Sequence, residues 1–443
     1  MKTALTAVAL TISMSIAGCS DGNSEPVPGP SRVFLMGSTP FFASADDNFN
    51  VIFPDWRFEN LDDRDLVSLH VDDFWGVPWD YCDAAACTNL PDAWVAQWLQ
   101  LASDASATGK PLYLALSPLG GRRTLAPTVL SNGATQGDWN TNVDGNGCYR
   151  FATDPNSASY KAAYISYLKY IIDLVGPEYF SPAVEVNLPF TICPAQKAAW
   201  IAWYSDVHNA IKAAYPQLVV FPTFQQESMY GVNDAQSACP GVSVSQCFDQ
   251  RLTEALAIPG DRIAFSTYPA GWTYSSDYNH SFPRDTYAKV QQATSRKIWI
   301  SETGWAASPV LQSYAHSSGG SCGAELYPAT LDVPGTGTVN LANDTAHAEY
   351  LGWLLDEAQT RGFEAVVWWL NRDYLDGPVA TTCPCTPPDS DTCVMTDTFY
   401  TLAGNDTELL LRVFGNMALR YYDGSPRPGE STWHEYVKRS YQP

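Results

Sequence analysis

The chain has 443 residues, a net charge of −22 and a pI near 4.5. That length fits one large barrel with long loops, or two ordinary domains. So acidic a surface repels a phosphate backbone, which excludes nucleic acid as an expected partner.

Met1-Lys2-Thr3 leads into an apolar run from Ala4 to Ala17, too short to span a bilayer, that breaks at Ile16-Ala17-Gly18-Cys19. Residues 1–18 read as a signal peptide. Their ending resembles the bacterial lipobox, which implies that Cys19 is acylated and becomes the first mature residue. Ser20 to Ser31 is polar and carries Pro26, Pro28 and Pro30. It has too little apolar surface to fold, so residues 19–31 read as a tether. The resemblance implies a lipid-anchored place in the bacterial cell envelope, at the outer membrane or cell surface. Residues 32–443 are read as one domain, because no linker or compositional shift divides them.

Eight short runs rich in β-branched and aromatic residues follow: Val33–Gly37, Leu66–Val71, Pro111–Ser117, Ala183–Leu188, Leu218–Phe224, Arg262–Tyr268, Lys297–Ser301 and Ala365–Leu370. Most are continuously apolar, as buried parallel strands are. Helical spacing fills most gaps, over Asp92–Ser103, Ser157–Val175, Ala195–Ala214 and Thr345–Gln359. A first helix between Ala43 and Asp65 is the least marked. Strand–helix alternation repeated eight times predicts an α/β fold, the (β/α)8 TIM barrel. The loops after the third, seventh and eighth strands are long and rich in Gly, Ser, Asn and Cys. They would form the walls of a cleft on the carboxyl-end face.

The eleven cysteines include Cys19; the other ten, outside the cytosol, are expected to form up to five disulfides. Cys82/Cys87 and Cys239/Cys247 flank short loops and can pair locally. Cys383, Cys385 and Cys393 cannot all pair together, so one of them reaches elsewhere, with Cys322 a candidate. Cys383-Pro384-Cys385 has no neighbouring His to complete a zinc set, and no metal or other cofactor is expected.

The seventh strand reads Ile298-Trp299-Ile300-Ser301-Glu302-Thr303-Gly304-Trp305. A carboxylate ending a buried strand is costly unless it faces a polar site. The fourth reads Ala183-Val184-Glu185-Val186-Asn187-Leu188-Pro189. Together these resemble the nucleophile and acid/base strands of retaining (β/α)8 glycoside hydrolases of the clan A type, nearest in motif to β-glucanases and endo-β-galactanases. The resemblance implies Glu302 as nucleophile and Glu185 as acid/base. Val184 stands where the family usually has Asn, and Asn187, two residues on, is the candidate to reach the sugar 2-hydroxyl instead.

The sixth strand ends Phe265-Ser266-Thr267-Tyr268 and the eighth ends Trp368-Trp369-Leu370-Asn371. By the same resemblance Tyr268 touches the nucleophile and Trp369 forms a sugar platform. Trp75, Trp79, Trp272 and Trp305 are candidate subsite walls, with Asp73 a further polar contact. The family's Arg on the second strand is absent; His70, Asp72 and Asp73 stand there instead. Glu227, just past the fifth strand, is a reserve carboxylate. The resemblance implies a monomeric enzyme cleaving glycosidic bonds, β-linked ones first, in an extracellular poly- or oligosaccharide. A surface lipoprotein that binds glycan without hydrolysing it is the alternative.

Overall fold

The computed structural model describes residues 30–39, 59–72, 75–120, 125–137, 139–140, 150–189, 193–231, 239–269, 283–307, 343–373 and 417–442, with four short strand pieces between 310 and 340. Cys19, residues 20–29 of the tether, Asp73 and Trp272 lie outside these residues. So do Cys322, Cys383, Cys385 and Cys393. Ser31, read as the end of the tether, is in a short strand.

The strands are β1 Leu35–Thr39, β2 Leu66–Asp72, β3 Leu112–Leu116, β4 Tyr179–Ser181, β5 in two pieces (Val219–Val220 and Thr223–Gln225), β6 Arg262–Thr267, β7 Lys297–Thr303 and β8 Ala365–Trp369. Every ladder among them is parallel. β8 pairs with β1, the first piece of β5 with β4 and the second with β6. The chain from Val220 to Thr223 therefore closes the ring. Pro222 has no N–H to give a ladder, which accounts for the break within β5.

The helices are α1 Asp92–Ala107, α2 Ser157–Val175, α3 Lys197–Ala214, α4 Gln226–Tyr230, α5 Val244–Ala257, α6 Thr286–Ala293, α7 Asp344–Arg361 and α8 Glu430–Val437. Each of the longer ones buries one stripe against the sheet. In α2 that stripe is Tyr164, Tyr167, Leu168, Ile171 and Ile172, and the helix ends where Gly176 turns left-handed at φ 66°. α5 starts with a capping box between Ser243 and Gln246. The fold is the expected α/β TIM barrel. Most of the helix expected between Ala43 and Asp65 lies outside the described residues; the part described holds a 3-10 turn, Leu61–Asp63.

Two strand positions differ from the sequence expectation. β1 lies two residues later than Val33–Gly37. The fourth strand is Tyr179–Ser181, while Ala183–Leu188, expected to be extended, forms a bend. Pro182 cannot donate, and Glu185 sits at φ 48° in the left-handed region, so a regular strand cannot continue. Thr223 bridges the bend instead: its N–H donates to the Ala183 carbonyl (3.2 Å), and its carbonyl accepts from Val186 N–H (3.0 Å).

Inside the ring, Leu35, Leu66, Tyr113, Phe221, Trp299 and Val367 belong to one buried cluster. Tyr113, Phe221 and Trp299 pack on one another with ring centroids 5.2–5.7 Å apart, so the barrel is a filled core rather than a pore. At the other closure, Ser31–Arg32 pairs with Ser440–Tyr441. The buried Arg32 makes a bidentate contact with Asp65 (2.6 and 2.8 Å), which also accepts from Met36 N–H at 2.7 Å.

Cys82–Cys87 and Cys239–Cys247 are disulfides, as their spacing predicted, and Cys193 is disulfide-bonded as well. A small hairpin (Thr128–Val129 with Thr135–Gln136) follows β3, and two more follow β7. These are the segments expected to be long. Among the described residues no helix is long and apolar enough to cross a membrane.

Candidate active site

Alternation alone would turn Glu302 away from the barrel. Trp299 is in the interior cluster, so Ser301 and Thr303 should face inward and Glu302 outward. The register shows why this fails. Phe265 pairs with Ile300 but Ser266 pairs with Glu302, so β7 carries one extra residue, a bulge at Ser301. The bulge turns Glu302 inward and Thr303 outward, where the Thr303 hydroxyl meets Tyr350 of α7 at 2.7 Å.

The end of β6 gathers three glutamates. Ser266 Oγ donates to Glu185 Oε1 at 2.7 Å, and two residues on, the Tyr268 hydroxyl donates to Glu302 Oε2 at 2.9 Å. Residues i and i+2 of a strand share a face and stand roughly 6–7 Å apart, so β6 holds both carboxylates over one small area. Thr267, on the opposite face, donates to Glu227 Oε1 at 2.7 Å, and Tyr268 N–H donates to the same oxygen at 2.9 Å. Gln225 Nε2 supplies the other Glu227 oxygen at 2.9 Å. Burial pushes the Glu227 carboxyl up to about 7 against these donors, and the Glu185 charge adds to the rise. Glu227 is 3% exposed and Glu302 7%, whereas Glu185 is half-buried. Glu227 therefore sits behind β6 and braces it, while Glu185 and Glu302 take their donors from the barrel side.

His70 of β2, buried at 1% exposure, completes the group. Its Nδ1 is 3.3 Å from Glu302 Oε1 and its Nε2 is 3.2 Å from the Ser301 carbonyl oxygen. Trp369 stands edge-on to the His70 ring at 5.7 Å, whereas Trp368 is fully buried and donates to the Met417 carbonyl at 2.9 Å. Trp369 is thus the inward one of the two. Gly304 is required just after the motif. A Cβ there would come 2.8 Å from the Trp369 carbonyl oxygen and 2.5 Å from Met417 Sδ.

Other expected contacts lie elsewhere. Asn187 does not offer a free amide. Its Nδ2 donates to the Gln225 carbonyl (2.9 Å) and its Oδ1 accepts from Gln225 N–H (2.8 Å), because the bend removes it from the strand face it was expected to share with Glu185. Trp75 packs edge-on against Trp98 of α1 at 4.8 Å, and Trp305 lies tilted against Tyr350 at 5.4 Å; both are half-buried. Trp79 is buried against Trp139, Tyr160 and Tyr164. The positions that sequence reasoning left without a role are Ser266 and the His70 contact. Alternation of Ser266 with Tyr268 was a usable signal for the first; for the second the sequence offered only the place of His70 on the strand where the family's Arg is absent.

Among the described residues, Asp63, Glu430 and His434 come close enough to gather an ion. Arg420 already reaches both acids, Asp63 at 2.8 Å and Glu430 more closely still, so the chain supplies its own cation there.

No protein-family model matches the sequence, and comparison with characterised sequences gives no match. Solved structures do match. The Ignisphaera aggregans GH53 catalytic domain aligns at 14% identity and TM-score 0.50, over 94% of this chain and 99% of that one. A GH5_18 protein from Streptomyces cattleya, in complex with Manb1-4GlcNAc, aligns at 12% identity and TM-score 0.52, over 92% and 80%. One from Bifidobacterium longum subsp. infantis aligns at 12% and 0.51, over 93% and 80%. At these identities what is shared is the fold, and the chain is a (β/α)8 barrel of the kind on which these GH53 and GH5_18 proteins are built.

Proposed function

We propose that the chain is a retaining glycoside hydrolase acting on a β-linked poly- or oligosaccharide, with Glu302 as nucleophile and Glu185 as acid/base. The observation that carries this reading is the convergence of both carboxylates on one face of the end of β6, each with its own hydroxyl donor. Retention needs the two carboxyls ~5–5.5 Å apart, one attacking the anomeric carbon while the other protonates the leaving oxygen. Their surroundings divide the roles. Glu302 is buried between a phenol donor and an imidazole, which suits a group that stays ionised. Glu185 is more open and takes the Ser266 hydroxyl on Oε1, which suits a group that exchanges protons with a leaving group and then with water. The left-handed backbone at Glu185 fits a site residue held in a sparsely populated conformation. Trp369 would offer the sugar an aromatic face beside the reacting carboxylates.

The GH53 and GH5_18 likenesses support the fold on which this chemistry would run, and the Manb1-4GlcNAc bound to the Streptomyces cattleya protein is a β-linked disaccharide. Acylation of Cys19 would put the enzyme at the cell envelope, facing extracellular glycan.

The test is hydrolysis of a panel of plant, algal and bacterial β-glycans by the purified protein, with Glu302→Gln beside it. The reading expects at least one glycan to be cleaved by the parent and not by the variant. The competing reading, glycan binding without hydrolysis, draws on Val184 and on the committed amide of Asn187. It expects binding by both proteins and cleavage by neither.

A further inference from the structure

The two ring nitrogens of His70 both face oxygen. Nε2 is 3.2 Å from the Ser301 carbonyl, which can only accept, so the proton on that nitrogen is fixed. Nδ1 is 3.3 Å from Glu302 Oε1. At that distance a neutral ring with its proton on Nε2 would set an unprotonated nitrogen beside the carboxylate. The ring is walled by Tyr113 of β3 at 5.3 Å and Trp369 of β8 at 5.7 Å, and is 1% exposed. The titratable groups placed against it are therefore the Glu302 carboxylate from β7 and the Tyr113 phenol from β3, with Glu185 one hydrogen bond further on through Ser266, whose backbone pairs with Glu302. Among the described residues, the basic side chain that reaches these glutamates is His70.

We propose that His70 is held as an imidazolium and serves as the fixed counter-charge of the site, paired with Glu302. Burial disfavours a lone cation, but an adjoining carboxylate reverses that preference, and the pair costs less than either charge alone. This inference rests on the glycosidase reading for its use in the reaction. When Glu302 bonds to the anomeric carbon and the glycosidic C–O bond breaks, the leaving oxygen takes the proton of Glu185. One carboxylate is consumed at Glu302 as one appears at Glu185. A single fixed cation thus balances the site before and after the step, so charge moves within it without a change in its sum. His70 is a positioning residue in this account: it touches the nucleophile, not the sugar.

The charge can be read without turnover. Long-range 1H–15N NMR of the histidine side chains in the full chain, with His70 assigned by its loss in His70→Gln, should show both ring nitrogens protonated at pH 7. In Glu302→Gln the ring should become neutral at the same pH, because its partner charge is gone. A neutral His70 in the parent at pH 7 would overturn the proposal, since the proton would then sit on Glu302. In turnover, His70→Gln should lower kcat by about a hundredfold with KM little changed, on the scale of removing one preorganised charge partner. His70→Arg, which restores a cation, should recover part of that loss. Parent-like kcat in His70→Gln would also overturn the proposal. Should no glycan be cleaved by any form, the glycosidase reading fails while the NMR result still decides the charge of the ring.

Discussion

Three glutamates take hydrogen bonds from three consecutive residues, Ser266 and Thr267 at the end of β6 and Tyr268 just beyond it, and their surroundings assign them different work. Replacing Glu302 by Gln keeps size and most hydrogen bonding but removes the attacking oxygen, so kcat should fall by at least about 10^4-fold with substrate binding retained. Isothermal titration with substrate beside steady-state kinetics checks both halves. Glu185→Ala should spare substrates with good leaving groups and slow those with poor ones, since only the latter need its proton. Glu227 is predicted to behave differently. Its folded value near 7 lies above that of an unfolded carboxyl, so the native state holds a proton that the unfolded chain has lost. Between about pH 4.5 and 7 this group therefore makes stability fall as pH rises, by up to about 1.4 kcal/mol per pH unit. Glu227→Gln should remove that slope and leave the protein more stable than the parent above pH 7, as urea denaturation at several pH values would show. A variant with the parent's slope would mean that Glu227 is ionised throughout.

At the scale of elements, much of the site was legible and the instructive failures have causes. The Ser-Glu-Thr-Gly run of β7 and the Ser-Thr-Tyr run of β6 were readable because a carboxylate and a phenol at strand ends are out of place in a core. The bulge at Ser301 was not readable, since a bulge is decided by the neighbouring strand's register and leaves no mark in its own composition. Asn187 went wrong for a related reason. Its two-residue spacing from Glu185 counts only in an extended strand, and Pro182 together with the left-handed Glu185 makes a bend there instead. The contact of His70 with Glu302 joins β2 to β7 across the barrel, a distance in sequence that no local pattern spans. Where the ends of the barrel chain meet, Arg32 and Asp65 pin β1, β2 and the C-terminal strand together. Arg32→Ala leaves the Asp65 carboxylate with the Met36 amide but no cation. Because Asp65 keeps 22% exposure, the loss should be about 2–3 kcal/mol, below the 3–5 of a fully buried pair. Equilibrium denaturation of the variant measures it, and an unchanged midpoint would show that the pair contributes nothing net.

For the molecule as a whole, eight apolar runs alternating with amphipathic helices were enough to specify the barrel, because a parallel sheet buried on both faces has few other ways to form. The order of strands, the closure through a broken β5 and the filled interior follow from that alternation and from Pro222. The cysteine spacing yielded the two local disulfides. The leader and tether make a separate prediction: Cys19→Ser should be recovered in the soluble fraction, whereas the parent fractionates with membranes. Equal membrane association of the two would rule out acylation at Cys19. The acidic surface leaves the function to the site, since charge of this kind governs solubility and partner sign rather than chemistry.

The central claim, that Glu302 attacks and Glu185 transfers the proton, is tested most directly by azide rescue of Glu185→Ala. Azide needs no base to activate it and fills the space of the missing carboxyl, so it should intercept the covalent Glu302 intermediate and restore turnover. NMR of the product should show a glycosyl azide with the anomeric configuration of the substrate, because two inversions have occurred. A glycosyl azide of inverted configuration would mean that Glu185 is the nucleophile, and undiminished hydrolysis of natural glycan by Glu185→Ala without azide would mean that the proton comes from elsewhere.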